Sequence, residues 1–463
     1  MPPLAGSGHT LRCLLLIVLL AFLPGCLSER SFPPHFDRLV RVANNDHLST
    51  RAWAGRLHLA AAPLLPPGRD EALTTDQLSA NGGPTDVWKR FNLHPGDLDN
   101  FFLNLRGIEQ SAQCTSPATG QPAERPAWPG FHDVRVPVSG NAVLCGRLGI
   151  PDEPREIPGS FVIITHGLFG SLDGAVVMNH VQTLRRAGHH VLAIEMRGHG
   201  QTDGAHPEYA ITFGPAEASD LLAAARWLRQ AHHATRVGLV SFSFFGVESL
   251  LTAWLDGTAP VAELSGCPLG SLLPAHQAEP SFNGGMFLVS SPVDIFDVAT
   301  RFDPHYGLFQ APVKATFQEH VSDRIDFYRR VESYRLAPGY SMWDLARCEF
   351  FHSDADALYP SFDAARADLE KFLDLSRDNW KTGAARMENI RVPVLVLNSA
   401  NDPLATAQGV ANLFSRQHNP NIGVILLKEG GHIGFPAYSA DYYYSLMTNF
   451  FDPATAPVIA GAL

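Results

Sequence analysis

The chain has 463 residues, 45% of them hydrophobic and 17% charged, and a formal charge of −11. That composition supports a large buried core and excludes a disordered chain, a collagen and a disulfide-stapled miniprotein. Asp and Glu number 46 against 35 for Lys and Arg. This is the reverse of the basic surplus that neutralises phosphates, so nucleic acid is not an expected partner. A mean hydropathy of −0.02 is not that of a chain that crosses a membrane repeatedly.

Arg12 is the only charged residue before an apolar run at 13–23, which closes with Leu23, Pro24, Gly25 and Cys26. A membrane span takes about 20 apolar residues, so the run suits the h-region of a secretion signal instead. Leucine, then glycine directly before a cysteine, resembles a bacterial lipoprotein signal. The resemblance implies removal of residues 1–25, lipidation of Cys26 and a tether to membrane lipid through the acyl chains. Leu27 behind the cysteine implies, in the same way, a bacterial cell envelope and its outer membrane. Cys114, Cys145, Cys267 and Cys348 remain; outside the cytosol they allow up to two disulfides in three connectivities, and their spacing fits no zinc site.

Residues 26–130 read as an N-terminal extension that wraps the main domain. The stretch is rich in Pro, Gly and Asn, with short helices expected near 36–42 and 98–105, and a Pro-rich boundary at 122–129. From residue 131 the pattern changes. Val134, Val136 and Val138 alternate, Gly140 and Asn141 turn, and 142–148 form a second strand, which predicts a hairpin. The run at 161–165 is apolar throughout, as in a strand buried on both faces of a parallel sheet. A helix carrying Val177, Val181 and Leu184 follows, stopped by Gly188, and then a strand at 191–194. Ala218, Leu221, Leu222, Ala225 and Leu228 mark the next helix, before a strand at 237–240 and a helix from about 246 to 255.

A strand is expected at 286–290. Residues 300–388 lose the strand signal and turn helical and aromatic, which predicts a cap. Its aromatic residues either pack the cap helices or line an acyl pocket. Strand, helix and strand resume at 392–397, 406–418 and 424–427. The sum is an α/β fold, a mostly parallel doubly wound sheet built from 131–299 and 389–453, interrupted by a helical cap insertion and followed by a tail at 454–463.

The fragment SFSFFG at 241–246 lies between a strand and a helix. A serine there, Ser243, sits on a sharp turn at the carboxyl edge of the sheet, with a helix amino terminus behind it. Ser241 is the alternative nucleophile, two residues early. The fragment THGLFGS at 165–171 follows the first parallel strand and can aim the Leu168 N–H at the point that the Phe244 N–H also reaches, as an oxyanion hole does. NSANDPL at 398–404 carries Asp402 after its strand, and GGHIGF at 430–435 carries His432 after the last one. Asp294, after the strand at 286–290, is the reserve acid. The pairs His189–His190 and His232–His233 diverge as neighbours on regular structure do, so no metal site is expected of them.

Ser, then Asp, then His, each behind a strand, is the chain order of the α/β-hydrolase nucleophile, acid and base. Residues 161–451 thus resemble the α/β hydrolases, with MRGHGQT at 196–202 similar to that superfamily's RGHG loop. The late insertion and the NDP and GGHIGF fragments look most like the YheT-like esterases. The resemblance implies a serine esterase acting through an acyl-enzyme on a small acyl-ester substrate. Ser243 is then the nucleophile, His432 the base, Asp402 its orienting acid, and Leu168 and Phe244 the oxyanion donors. Water clears the acyl group, so this chemistry calls for neither metal nor organic cofactor. A second reading is a catalytically silent α/β-hydrolase-fold lipoprotein that serves as a binding or scaffold protein. Phe245 motivates it, being bulky where the turn usually holds a small residue.

Overall fold

The computed structural model describes residues 38–68, 70–80, 127–138, 142–151, 156–168, 170–206, 209–256, 267–273, 279–293, 295, 298, 346–347, 356–373, 386–402 and 404–457. Cys26, Cys114, Cys348, Asp294, the expected helix at 98–105 and most of the expected cap lie outside them.

The strands are β1 (Ala72–Thr74), β2 (Phe131–Pro137), β3 (Val143–Gly149), β4 (Ser160–Ile164), β5 (His190–Ile194), β6 (Arg236–Phe242), β7 (Gly285–Val289), β8 (Val394–Ser399) and β9 (Ile422–Leu427). They form one nine-stranded sheet in the order β1-β9-β8-β7-β6-β4-β5-β3-β2. The pairs from β5 through β4, β6, β7 and β8 to β9 are parallel. The expected hairpin is β2 with β3, antiparallel and joined antiparallel to β5. β1 pairs antiparallel with β9 at the other edge.

Alternation along each central strand divides the core into two layers, as period-two side-chain geometry requires. On one face Phe161, Ile163, Leu239, Met286, Leu288, Val394 and Val396 are buried in one cluster. They share it with apolar residues of α5 (Pro215–Ala231), α6 (Phe244–Leu255), α7 (Phe362–Phe372) and α8 (Ala407–Phe414). On the other face Val162, Ile164, Val240, Phe242, Phe287, Val289, Leu395 and Leu397 join α1 (Thr50–Ala61), α3 (Ala175–Arg186) and α9 (Phe435–Phe451). Two short helices, α2 (Thr75–Ala80) and α4 (Gly200–Ala205), complete the described set. No described helix is long and apolar enough to cross a membrane.

The extension is more ordered than its composition suggests. The expected helix near 36–42 is not helical over 38–42. Val40 and Val42 instead send their N–H groups to Ser445 Oγ and Asn449 Oδ1 of α9, at 3.0 and 2.8 Å. External acceptors two residues apart favour extended backbone over a helix that would satisfy itself. α1 follows, with Ser49 as its N-cap. It buries Trp53, Ala54 and Leu57 completely. β1 and α2 then run on to β9, where Thr75 Oγ1 accepts the Val424 N–H at 2.7 Å. Among the described residues, Cys145 and Cys267 are buried and no disulfide joins them to each other.

Candidate active site

Parallel strands bring distant loops to one rim. β6 ends at Phe242, and Ser243 caps α6 with φ 52° and ψ −127°. This left-handed conformation is strained for a non-glycine residue and is held from both sides. The Ser243 N–H donates to Val289 C=O, and its own C=O accepts from the Gly246 N–H, both at 2.9 Å. α6 begins one residue later, earlier than the expected start near 246.

Asp402 stands three residues beyond β8. Its Oδ1 accepts the N–H groups of Leu404 and Ala405 at 2.8 and 2.9 Å. His432 lies after β9, between Gly431 (φ 62°) and Ile433 (φ 59°). Its Nδ1 is 2.9 Å from Asp402 Oδ2 and 3.1 Å from Oδ1, while its Nε2 is 2.8 Å from Ser243 Oγ. A carboxylate only accepts, so Nδ1 carries the proton and Nε2 is left to receive the serine hydroxyl. The Asp402 side chain is fully buried and that of His432 nearly so; Ser243 is half-buried. The three expected side chains therefore stand in one hydrogen-bonded row.

Ser241 does not join them. Its hydroxyl is buried within β6 and bonded to Thr165 Oγ1 at 2.7 Å. Phe245 does not displace Ser243 either. Its ring is fully buried, edge-on to His166 and His199 at 5.1 and 5.3 Å between centroids. The residue that must be small is Gly246, because a Cβ there would collide with Ser291 Oγ. The tight spot has moved one position along, and Phe245 packs inward.

The loop after β4 is pinned through a histidine. His166 Nε2 accepts the Met196 N–H at 3.2 Å, so its Nδ1 carries the proton and donates to Gly167 C=O at 2.7 Å. The Gly170 N–H reaches the same carbonyl at 2.8 Å. A trans peptide points its C=O and N–H in opposite directions, so two donors on the Gly167 oxygen fix where the Leu168 N–H aims. A Cβ on Gly167 would meet Ser243 Cβ at 3.4 Å, which measures how closely this loop passes the serine. Phe244 opens α6, so its N–H belongs to the first turn and has no acceptor within the helix.

The 196–202 loop supports His166 from behind. The His199 ring lies 4.6 Å from that of His166, and its Nδ1 donates to Arg197 C=O at 2.8 Å. Arg197 grips Asp220 of α5 with two bonds of 2.8 and 3.0 Å. Glu248 is buried beside this pair. Burial first, and then Glu217 and Asp220, push its carboxyl well above the usual range.

Sequence reasoning missed the polar residues that hold the histidine loop. Ser399 Oγ donates to Gly431 C=O at 3.0 Å, the Gly431 N–H donates to Asn401 Oδ1 at 2.9 Å, and the Ile433 N–H donates to Ser290 Oγ at 2.8 Å. Each stands where a parallel strand ends, and that position was the available signal. Of the histidine pairs, His189 bonds Ser160 Oγ at 2.9 Å and His190 stacks on Phe161. Among the described residues no group of three metal-binding side chains comes together.

This strand order and site define a class, and the sequence agrees with it: the model of the Alpha/beta hydrolase family matches residues 162–444, and the chain belongs to that family. No curated protein matches the sequence. Among solved structures it is similar to the esterase Pf2001 of Pyrococcus furiosus, at 15% identity over 71% of this chain and 98% of that one, with a TM-score of 0.43. A hyperthermophilic esterase of the archaeon Pyrobaculum calidifontis shows 14% identity over 79% and 97% of the two chains, with a TM-score of 0.40. An alpha-beta serine hydrolase homologue from Coxiella burnetii shows 13% over 68% and 96%, with a TM-score of 0.36.

Proposed function

We propose that this chain is a serine hydrolase that cleaves carboxylic esters through an acyl-enzyme, anchored to a membrane by lipidated Cys26. The observation that carries the reading is the row Asp402–His432–Ser243, with contacts of 2.9 and 2.8 Å. Ser243 Oγ attacks the acyl carbonyl as its proton passes to His432 Nε2. Asp402 keeps the imidazole in the required tautomer and stabilises the imidazolium. The Leu168 and Phe244 N–H groups receive the oxyanion, at about 3 kcal/mol of transition-state stabilisation per donor. Collapse expels the alcohol, which takes the proton from His432. Water, deprotonated by the same imidazole, then attacks the acyl-serine, and the carboxylic acid leaves with Ser243 regenerated.

Residues 300–388 are read as a helical cap over this rim, and the YheT-like esterases as the nearest subgroup. The apolar run at 13–23 and Cys26 support secretion and lipidation in a bacterial envelope, with the outer membrane as destination. The test is labelling of the purified protein by a fluorophosphonate probe beside Ser243→Ala. Labelling and turnover of acyl esters that vanish in the variant are the expected result. A folded wild type that neither labels nor turns over short and long acyl esters would overturn the reading in favour of a scaffold. Mass spectrometry of the mature amino terminus should find a diacylated or triacylated Cys26; an unmodified Met1 would remove the anchor.

A further inference from the structure

We infer that Ser290 is a positioning residue for His432, a peg on the strand between nucleophile and acid from which the histidine loop hangs. The inference rests on the hydrolase reading above. In the sheet the order is β8-β7-β6. Ser243 follows β6 and Asp402 follows β8, so the imidazole has to bridge two strands that are not neighbours. β7 lies between them and ends at Val289. The next residue, Ser290, is fully buried and left-handed, with φ 51°. Its N–H donates to Leu397 C=O at 2.9 Å, and its Oγ accepts the Ile433 N–H at 2.8 Å.

The choice of residue is informative. A side chain in the left-handed region costs about 1–2 kcal/mol, which glycine avoids. The serine keeps that cost and adds an acceptor for the residue directly after the histidine. On the other flank Gly431 is held by Ser399 and Asn401, both from the β8 end. Those two bonds tie the loop to the strand that carries the acid. The Ser290 bond ties it to the middle strand, on which Ser243 N–H is itself hung through Val289 C=O. Without it the imidazole stays registered to Asp402 and loses its register to Ser243. A misplacement of about 1 Å in such a row costs roughly 100-fold in rate.

The test uses the full chain with Ser290→Ala and Ser290→Gly. Both remove the hydroxyl, and the glycine also relieves the backbone. The readouts are kcat and KM on a short-chain p-nitrophenyl ester, fluorophosphonate labelling, and the downfield proton resonance of the His432–Asp402 bond. In both variants kcat should fall roughly 10- to 100-fold with KM within about twofold. Labelling should still reach completion, but slowly, and the downfield resonance should persist because the Asp402 side of the loop is still held. Wild-type kcat in both variants, a loss expressed in KM alone, or failure of both to fold would overturn the inference. If the alanine variant alone fails to fold, the glycine variant decides. A wild type without labelling or turnover removes the hydrolase reading, and this inference with it. An active wild type with unaffected variants removes only the role of Ser290.

Discussion

Two regions hold their chain in different ways. At the carboxyl rim Ser243, Ser290 and Ile433 are all left-handed non-glycine residues, at φ 52°, 51° and 59°. Each is fixed by hydrogen bonds from neighbouring strand ends. In the strap at 38–80, Trp53, Ala54 and Leu57 are fully buried by the far face of the sheet, and among the described residues there only His47 and Gly68 have a positive φ. Strained backbone costs of order 1–3 kcal/mol per residue and persists where bonds over-determine it, whereas burial of a large apolar side chain contributes about 1.5–3 kcal/mol without demanding exact placement. The rim is organised for position and the strap for stability.

Substitutions can break that contrast. The largest effect is expected at the rim: Asp402→Asn should lower kcat about 10⁴-fold by presenting the wrong donor to His432 Nδ1, read by steady-state ester hydrolysis. In the strap Trp53→Ala should cost about 3–5 kcal/mol in urea unfolding while kcat per folded molecule stays at the wild-type level. A strap variant that lowers kcat without lowering stability would erase the distinction.

Acid should act through the strap-side layer. Burial holds His180 at about 4 and His189 at about 3, below the value near 6.5 expected in the unfolded chain. Between these values the unfolded state binds more protons, so stability present at pH 7 is lost as pH falls through 6.5 towards 4. For His180 the loss is roughly 3 kcal/mol, seen as a falling urea midpoint between pH 7 and 4.5. The smallest effect sharpens the comparison: Thr75→Val, which leaves the Val424 N–H without its acceptor, should cost about 1–3 kcal/mol and leave KM unchanged.

The unbroken apolar run of Phe161 to Ile164 and the helix stripe of Val177, Val181 and Leu184 are dictated by burial, and burial is written in local pattern. The sheet and the order of Ser243, Asp402 and His432 were legible for that reason. Ser290, Ser399 and Asn401 were not, because their work depends on which strand ends become neighbours, and strand order is not a local property. Phe245 misled for a related reason: the requirement for a small residue is set by Ser291, just beyond the end of β7, and it falls on Gly246. β1 is three residues long and its partner lies at the other end of the chain, at Leu427 for Ala72, so no pattern within the extension could announce it.

That pairing has a consequence for biogenesis. The outermost strand emerges early from the ribosome, and the strand it must cover emerges near the end. Until residues 422–427 exist, β1 has nothing to pair with, and a product cut short before them leaves β8 as a bare hydrophobic edge open to aggregation. Sealing the sheet is therefore among the last events of folding, and intact length is its condition.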